Sequence, residues 1–466
     1  MKTPRRAWVA GSVLCCVSSP LYAAGFGLIE NSASGMGNAF AGAAATAEDA
    51  STVWFNPAAM AELDDNKHVS VATHIIVPQA DFSNVASRVN PALTGGNITA
   101  AEAALSGTNA STDKVAVVPN TYAVMPLNER AKVGVGVNAP FGLETRYDDD
   151  WYGRYHALKS DMKTININPA VSYEVNDKLA VGGGVSAQYI EVELSSAIDS
   201  AAACRSIASA ANSGALLSQC LTAFPEVGES TTDSKATIKG DDWSFNYNAG
   251  LLYKPTDKTK VGVSYRSKTK HNLEGTANYT INPTLQPILT ATGVTRFNAA
   301  PATADAELPA SLSVSVAHQL NDKVELLGDI TRTQWSSFER LTVKNADTGA
   351  VISDVDESWQ DVNRYAVGIN YQHNDRLKLR GGVAFDEEPI PDALHRTARI
   401  PGNDRTWVSA GANYKLKKNL SVDVGYSHLF IDETPIDNID DATGYALRGL
   451  YDSDVDVASA QLNWSF

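Results

Sequence analysis

The chain has 466 residues, enough for one large barrel or two to three ordinary domains. Hydrophobic residues make up 44% and charged residues 20%, which excludes a disordered chain, and no apolar run is long enough for a membrane-crossing helix. The net charge of −15, from 38 Lys and Arg against 53 Asp and Glu, would repel phosphates, so no nucleic-acid partner is expected.

Residues 1–23 read as a secretory signal. Lys2, Arg5 and Arg6 precede the apolar run Ala7 to Val17, and small residues at Ala23 and Ala24 favour a cut after Ala23, with a cut after Ala24 as the alternative. Cys15 and Cys16 leave with the signal, and Ser12-Val13-Leu14 lacks the small residue a lipidated cysteine needs. Cys204 and Cys220 remain. In an oxidising compartment a disulfide between them is favoured, the alternative being two buried thiols.

Residues 24–65 are rich in Gly and Ala, sparse in charge and end on Trp54-Phe55-Asn56-Pro57-Ala58. Small residues permit close packing in a confined space, while Phe26, Leu28, Ile29, Met36, Phe40, Trp54 and Phe55 make the stretch too apolar for a disordered arm. It is expected to be a plug, or hatch, inside a membrane pore.

Residues 66–466 repeat one pattern, strands of ten to fifteen residues with one apolar face. Trp243, Phe245, Tyr247, Ala249, Leu251 and Tyr253 share a face; Ser244, Asn246, Asn248 and Gly250 share the other. Such lengths suit membrane-spanning strands better than a soluble sandwich. Short turns at 128–130, 176–178, 256–258, 321–323, 374–376 and 417–419 alternate with long polar segments near 84–113, 144–161, 195–240, 276–307, 345–358, 387–404 and 432–452. This alternation is that of an outer-membrane barrel with short periplasmic turns and long external loops. Fourteen strands result, starting near residues 67, 115, 131, 162, 179, 241, 259, 309, 324, 359, 377, 405, 419 and 453. Phe466 ends an alternating strand, as expected of a barrel presented to the barrel-assembly machinery. Trp151, Trp243, Trp359 and Trp464 are candidates for the interfacial aromatic girdles.

In the third strand Pro140 cannot donate to a ladder, and Gly134, Gly136 and Gly142 remove side chains around it. Either a side portal or a bulge near the external rim would accommodate it. No Gly-x-Ser-x-Gly, His-Glu-x-x-His, Cys-x-x-Cys or phosphate loop occurs, and Ser427 and His428, as strand neighbours, face opposite ways. No enzyme, metal site or cofactor is expected. Asp148-Asp149-Asp150 reads as a solvated charge run or as a cation-bridged contact to lipopolysaccharide.

The mature start Ala24-Gly25-Phe26-Gly27-Leu28, the run Ser34-Gly35-Met36-Gly37-Asn38-Ala39 and the triplet Asn56-Pro57-Ala58 carry a resemblance. So do Ser264-Tyr265-Arg266-Ser267, Trp335-Ser336-Ser337-Phe338 and the block from Gly382 through Pro389, Pro391 and Ile400-Pro401 to Trp407. In that order they resemble the FadL-type outer-membrane transporters of long-chain fatty acids and other hydrophobic compounds. The resemblance implies a fourteen-stranded barrel with an N-terminal hatch, capture by external loops and lateral release at an inward kink of the third strand. It places Asn56-Pro57-Ala58 at that kink, making Asn138, Gly136 and Pro140 portal residues.

A fatty acid needs apolar lining for its tail, worth about 0.8 kcal/mol per buried CH₂, and a basic or polar group for its head. Phe26, Leu28, Ile29, Met36, Phe40 and Leu252 are the expected lining; Arg266 and Lys268, on the polar parity of one strand, are the expected head ligands, with Arg340, Lys344 and Arg364 behind them. The fifth strand reads Tyr189-Ile190-Glu191-Val192-Glu193, an acidic stretch where the family can present a basic residue, which leaves a less charged substrate open. Aromatic hydrocarbons or other neutral lipophiles are the alternative cargo, and a general porin is the alternative class.

Overall fold

The computed structural model describes residues 25–466; the expected signal sequence and its cut lie outside the described residues. Fourteen antiparallel strands close into one barrel. In chain order they are His68–Asn84, Ala116–Asn128, a third in two pieces (Ala131–Asn138 and Gly142–Arg146), Lys159–Asn176, Leu179–Ile198 and Ser234–Thr256. The seventh to tenth are also interrupted: Thr259–Arg266 with Thr269–Thr280, Ala300–Leu308 with Ser311–Asn321, Val324–Thr333 with Arg340–Asn345, and Val351–Asp356 with Val362–Gln372. Leu377–Asp386, Arg405–Lys417, Leu420–Ile431 and Ala446–Ser465 complete the wall. The first strand pairs with the fourteenth from His68↔Ser465 to Asn84↔Gly449, so no edge is left at the seam.

The short turns share one chemistry. Asn128, Asn176, Asn321 and Asn374 each accept, through the side-chain oxygen, from the backbone N–H two residues on, at 2.9–3.0 Å. Asn is suited to this local bond, which tightens the reversal without help from distant residues. Above the membrane the outcome differs from the expected loops at 276–307 and 345–358. There the ladders continue as hairpins to Thr280/Ala300 and Asn345/Val351. Similarly, the fourteenth strand begins at Ala446 within the expected loop 432–452, beside a short strand Thr434–Ile439.

Outward residues of the lower wall are apolar and exposed, among them Val71, Ile75, Val135, Val137, Ile165, Ile167, Val367 and Ile369. Inward ones are polar and buried, among them Ser70, His74, Asn120, Asn166, Asn168 and Gln461. A charge on the outward face would meet lipid, so the alternation follows from the solvent. Trp243 and Trp464 do face outward, whereas Trp151 and Trp359 are buried inside the external half, because their chain segments fold inward over the lumen.

The N-terminal segment fills the lower lumen. It has two short helices, Ala33–Met36 and Thr52–Phe55, and a 3-10 turn at Pro57–Glu62. Ser32 caps the first helix at Gly35 N (3.0 Å) and Asn56 caps the turn at Ala58 N (3.0 Å), with Pro57 at its first position. Wall glycines make room for it: a Cβ at Gly182, Gly250, Gly262, Gly382 or Gly411 would run into the segment itself. Polar wall side chains bind it from many sides, including Gln461 to Ala33 N, Ser315 to Ala44 N, Ser70 to Ala50 N and Tyr122 to the Asn31 carbonyl. Glu62 pairs with Lys254 and Lys260, both at 2.8 Å, and Glu48 pairs with Lys378 and Arg380.

Candidate functional site

The third strand is where the wall opens. Its lower piece pairs with the second strand up to Thr121↔Val137, and there the ladder ends. The upper piece, Gly142–Arg146, pairs only with the fourth strand, and Ala116–Asn120 of the second pairs only with the first. Between the pieces Pro140 has no N–H to donate, and the chain turns inward. The start of the N-terminal segment takes up the freed backbone: Leu28 N donates to Pro140 O (2.8 Å) and Gly142 N to Phe26 O (3.0 Å). Thr164 of the fourth strand holds the bend through bonds to Phe141 N and O. Asn138 at its foot donates to Asn31 Oδ1 (2.7 Å) and accepts from Asn166 (3.1 Å).

The triplet Asn56-Pro57-Ala58 is not at this bend, contrary to the expectation from resemblance. Asn56 Nδ2 donates to Ala44 O and Leu251 O, and the triplet's backbone lies against Gly182 and Gly250 of the fifth and sixth strands. A Cβ at either glycine would strike Asn56, Pro57 or Ala58, whereas the bend is paired with Phe26–Leu28. Gly134 and Gly136 instead admit side chains, Val53 and Met60 at the former and Tyr122 at the latter.

Above the bend lies an apolar cavity, open at its mouth, of about 840 Å³ when the solvent space at the mouth is included. Leu143, Met162, Ile190, Val192, Leu273 and Leu308 line it from the wall, and Phe338 and Ile400 from above. Phe26 forms its floor, within 4.7–5.4 Å (ring centroids) of Trp335, Phe338 and Trp359. Two charged side chains reach the cavity from outside the membrane-spanning segments. Arg399 donates to Ser160 Oγ (3.0 Å) and Lys159 O (3.2 Å), and burial lowers its pKa to about 10. Glu357 accepts from Trp359 Nε1 (3.1 Å), and burial raises its pKa to about 7.

Of the expected lining residues the structure brings only Phe26 to this cavity. Leu28, Ile29, Met36 and Phe40 pack in the core below it, and Leu252 lies under Ala58 and Ala59. Arg266 does point into the lumen, 3.5 Å above the Trp54 ring, with bonds to Trp54 O and Asn168. Lys268 does not. The strand breaks between Arg266 and Thr269, parity slips by one, and Lys268 emerges on the outer face paired with Glu307 at 2.6 Å. Arg340 is likewise exposed, paired with Asp354 and Asp356. The acidic reading of the fifth strand is also corrected: Ile190 and Val192 face the cavity, while Glu193 pairs on the outside with Lys159 (2.9 Å) and Lys239 (3.2 Å).

Above the cavity Cys204 and Cys220 form a disulfide, Cα–Cα 5.7 Å, joining helices Ser200–Ala210 and Gly214–Ala223. Leu217 and Leu221 of the second helix are exposed. Ser427 faces inward, bonded to Ser409, and His428 outward beside Asp456, so the adjacent pair is split by the wall.

A closed barrel of fourteen strands with an apolar outer belt, an N-terminal segment in its lumen and a break in pairing at the third strand has the form of an outer-membrane transport barrel. The chain belongs to the outer membrane protein transport protein family (OMPP1/FadL/TodX), whose model matches residues 14–466. It is 30% identical over 442 residues to a long-chain fatty acid transport protein of Escherichia coli O6:H1, covering 93% of this chain and 92% of that one. It is 31% identical over 436 residues to outer membrane protein P1 of Haemophilus influenzae, covering 87% and 86%. Among solved structures, a Pseudomonas aeruginosa FadL homologue superposes with a TM-score of 0.83 at 28% identity, covering 95% of this chain and all of that one. The Pseudomonas putida toluene transporter TodX shares the fold, with a TM-score of 0.62 at 19% identity over 90% of this chain and 94% of that one. The protein resides in the bacterial outer membrane.

Proposed function

We propose that this protein carries long-chain fatty acids passively across the outer membrane and releases them sideways. External loops capture the acid, its tail enters the cavity above Phe26, and its carboxylate faces Arg399. Displacement of Phe26–Leu28 from the bend then frees the gap between the second and third strands, with residues 24–65 acting as the hatch. The observation that carries this reading is the position of Phe26, which is at once the cavity floor and the strand partner of the bend. A ligand pressing on one disturbs the other. Burial of a sixteen-carbon tail supplies on the order of 10 kcal/mol before ordering costs, so the tail provides affinity and the head orientation. Phe466, its ring against Trp464 and its backbone paired with Lys67, is assigned to recognition by the assembly machinery, and exposed Asp148–Asp150 to a solvated charge run that reaches lipopolysaccharide only through bridging divalent cations.

Growth of a deletion strain on oleate or on an alkylbenzene, with and without this chain, tests the cargo. Restored growth on oleate is expected; restoration on the alkylbenzene alone would assign neutral lipophiles instead. Planar-bilayer conductance tests the class: low in the intact protein, higher when residues 24–58 are deleted. Large stable conductance of the intact protein would make it a porin.

A further inference from the structure

On the far side of the lumen from the gap, three inward side chains stand side by side on the tenth, eleventh and twelfth strands. Arg364 pairs with Asp386 and Asp386 with Arg405 in the ladder, and all three are buried. Arg364 gives one bond to the Ala39 carbonyl (2.9 Å), and Arg405 approaches Glu388 at 4.0 Å. Yet Nε and Nη1 of both guanidinium groups lack any hydrogen-bond partner, as does the indole Nε1 of Trp407 beneath Arg364. Five buried N–H-bearing atoms without acceptors are costly unless something anionic serves them at some stage.

The position of the row matters as much as its charge. Glu30 spans the lumen at this height: Asn120 of the second strand holds its carbonyl (2.9 Å), and its side chain lies within the field of Arg364 and Arg405. The row is therefore level with the foot of the gap. We propose that Arg364, Asp386 and Arg405 form an inner carboxylate site, which takes the head group of an acid that has passed Phe26 and turns its tail toward the gap, so that the acid leaves tail first. This inference rests on the lateral-release reading above. Glu30 itself makes no hydrogen bond through either oxygen, and burial, opposed by the two arginines, lifts its pKa to about 7. Near neutral pH it is thus a weak competitor for the arginines. Arg is suited to such a site because its planar donors match a carboxylate in two-point contact.

Calorimetric titration of the purified, detergent-solubilised protein tests this with two probes, oleate and oleyl alcohol. The parent should bind two oleates but one oleyl alcohol. Arg364→Gln and Arg405→Gln should each weaken the second oleate at least tenfold, leaving the first oleate and the alcohol unchanged. If either fails to assemble, as judged by the migration of unheated protein, Asp386→Asn keeps both arginines and should tighten the second oleate several-fold. One oleate in the parent, or a second oleate indifferent to these changes, overturns the inner site alone. No oleate binding at all overturns the fatty-acid reading and this inference with it.

Discussion

The lower wall and the upper rim follow opposite rules. In the lower wall the outside is apolar and the inside polar, as with Ile165 and Ile167 against Asn166 and Asn168. In the rim the same strands reverse it. The fifth strand carries Ser186 and Gln188 inward below, then Ile190, Val192 and Leu194 inward above, while Glu193 turns to the outside. Outward Lys159, Asp161 and Lys163 of the fourth strand form ion pairs at 3.0–3.1 Å, directly above the outward isoleucines. The difference teaches that two solvents act on one sheet: lipid fixes the outer face below, and water fixes it above. Freed from lipid, the rim can gather its apolar side chains inward and build a cavity there.

Crossing that boundary should have the largest effects. Val367→Lys, on the lipid-facing wall, should cost about 2–4 kcal/mol near the bilayer midplane and impair assembly, read by the migration of unheated protein. Ile190→Asp in the rim should leave assembly intact but reduce oleate affinity more than a hundredfold, measured by titration. Gly182→Leu should come next. A side chain there meets the backbone of Pro57 and Ala58, so the N-terminal segment should be pushed from its seat, visible as raised conductance of an assembled barrel.

A smaller effect concerns pH. Burial holds Glu357 near a pKa of about 7, so below that it is neutral beside the Arg399 cation, and above it the carboxylate opposes a second carboxylate. Oleate affinity should fall several-fold as pH rises through 7, oleyl alcohol affinity should not, and Glu357→Gln should flatten the profile. The smallest effect on uptake should come from Cys204→Ser with Cys220→Ser. A loop closed by a disulfide of this span loses about 3 kcal/mol of local constraint, so proteolysis between the two helices should quicken while the barrel persists.

Much of the wall was legible because one rule, period two with an apolar outer face, governs it throughout, and because each periplasmic turn announces itself with Asn or Asp. The break at Pro140 was legible for a covalent reason, the missing N–H. The cavity was not, because it lies where the rule inverts. Ile190, Val192 and Leu194 follow Ser186 and Gln188 on the same parity, and that switch was the available signal. Lys268 was misplaced because the parity slip at Ser267 leaves no mark in composition. Arg399, Phe338 and Ile400 reach the cavity from loops or chain reversals that periodicity does not describe, and the bond of Phe26 O with Gly142 N at the bend joins residues 116 positions apart.

The most direct measurement is oleate uptake by cells carrying Pro140→Val, a change that restores an N–H and a strand-favouring side chain at the bend. If the gap is the exit, the assembled variant should bind oleate in the cavity as the parent does and yet lose most of its uptake. Uptake equal to the parent's, in a variant shown to be assembled with the second and third strands paired past residue 140, would contradict lateral release.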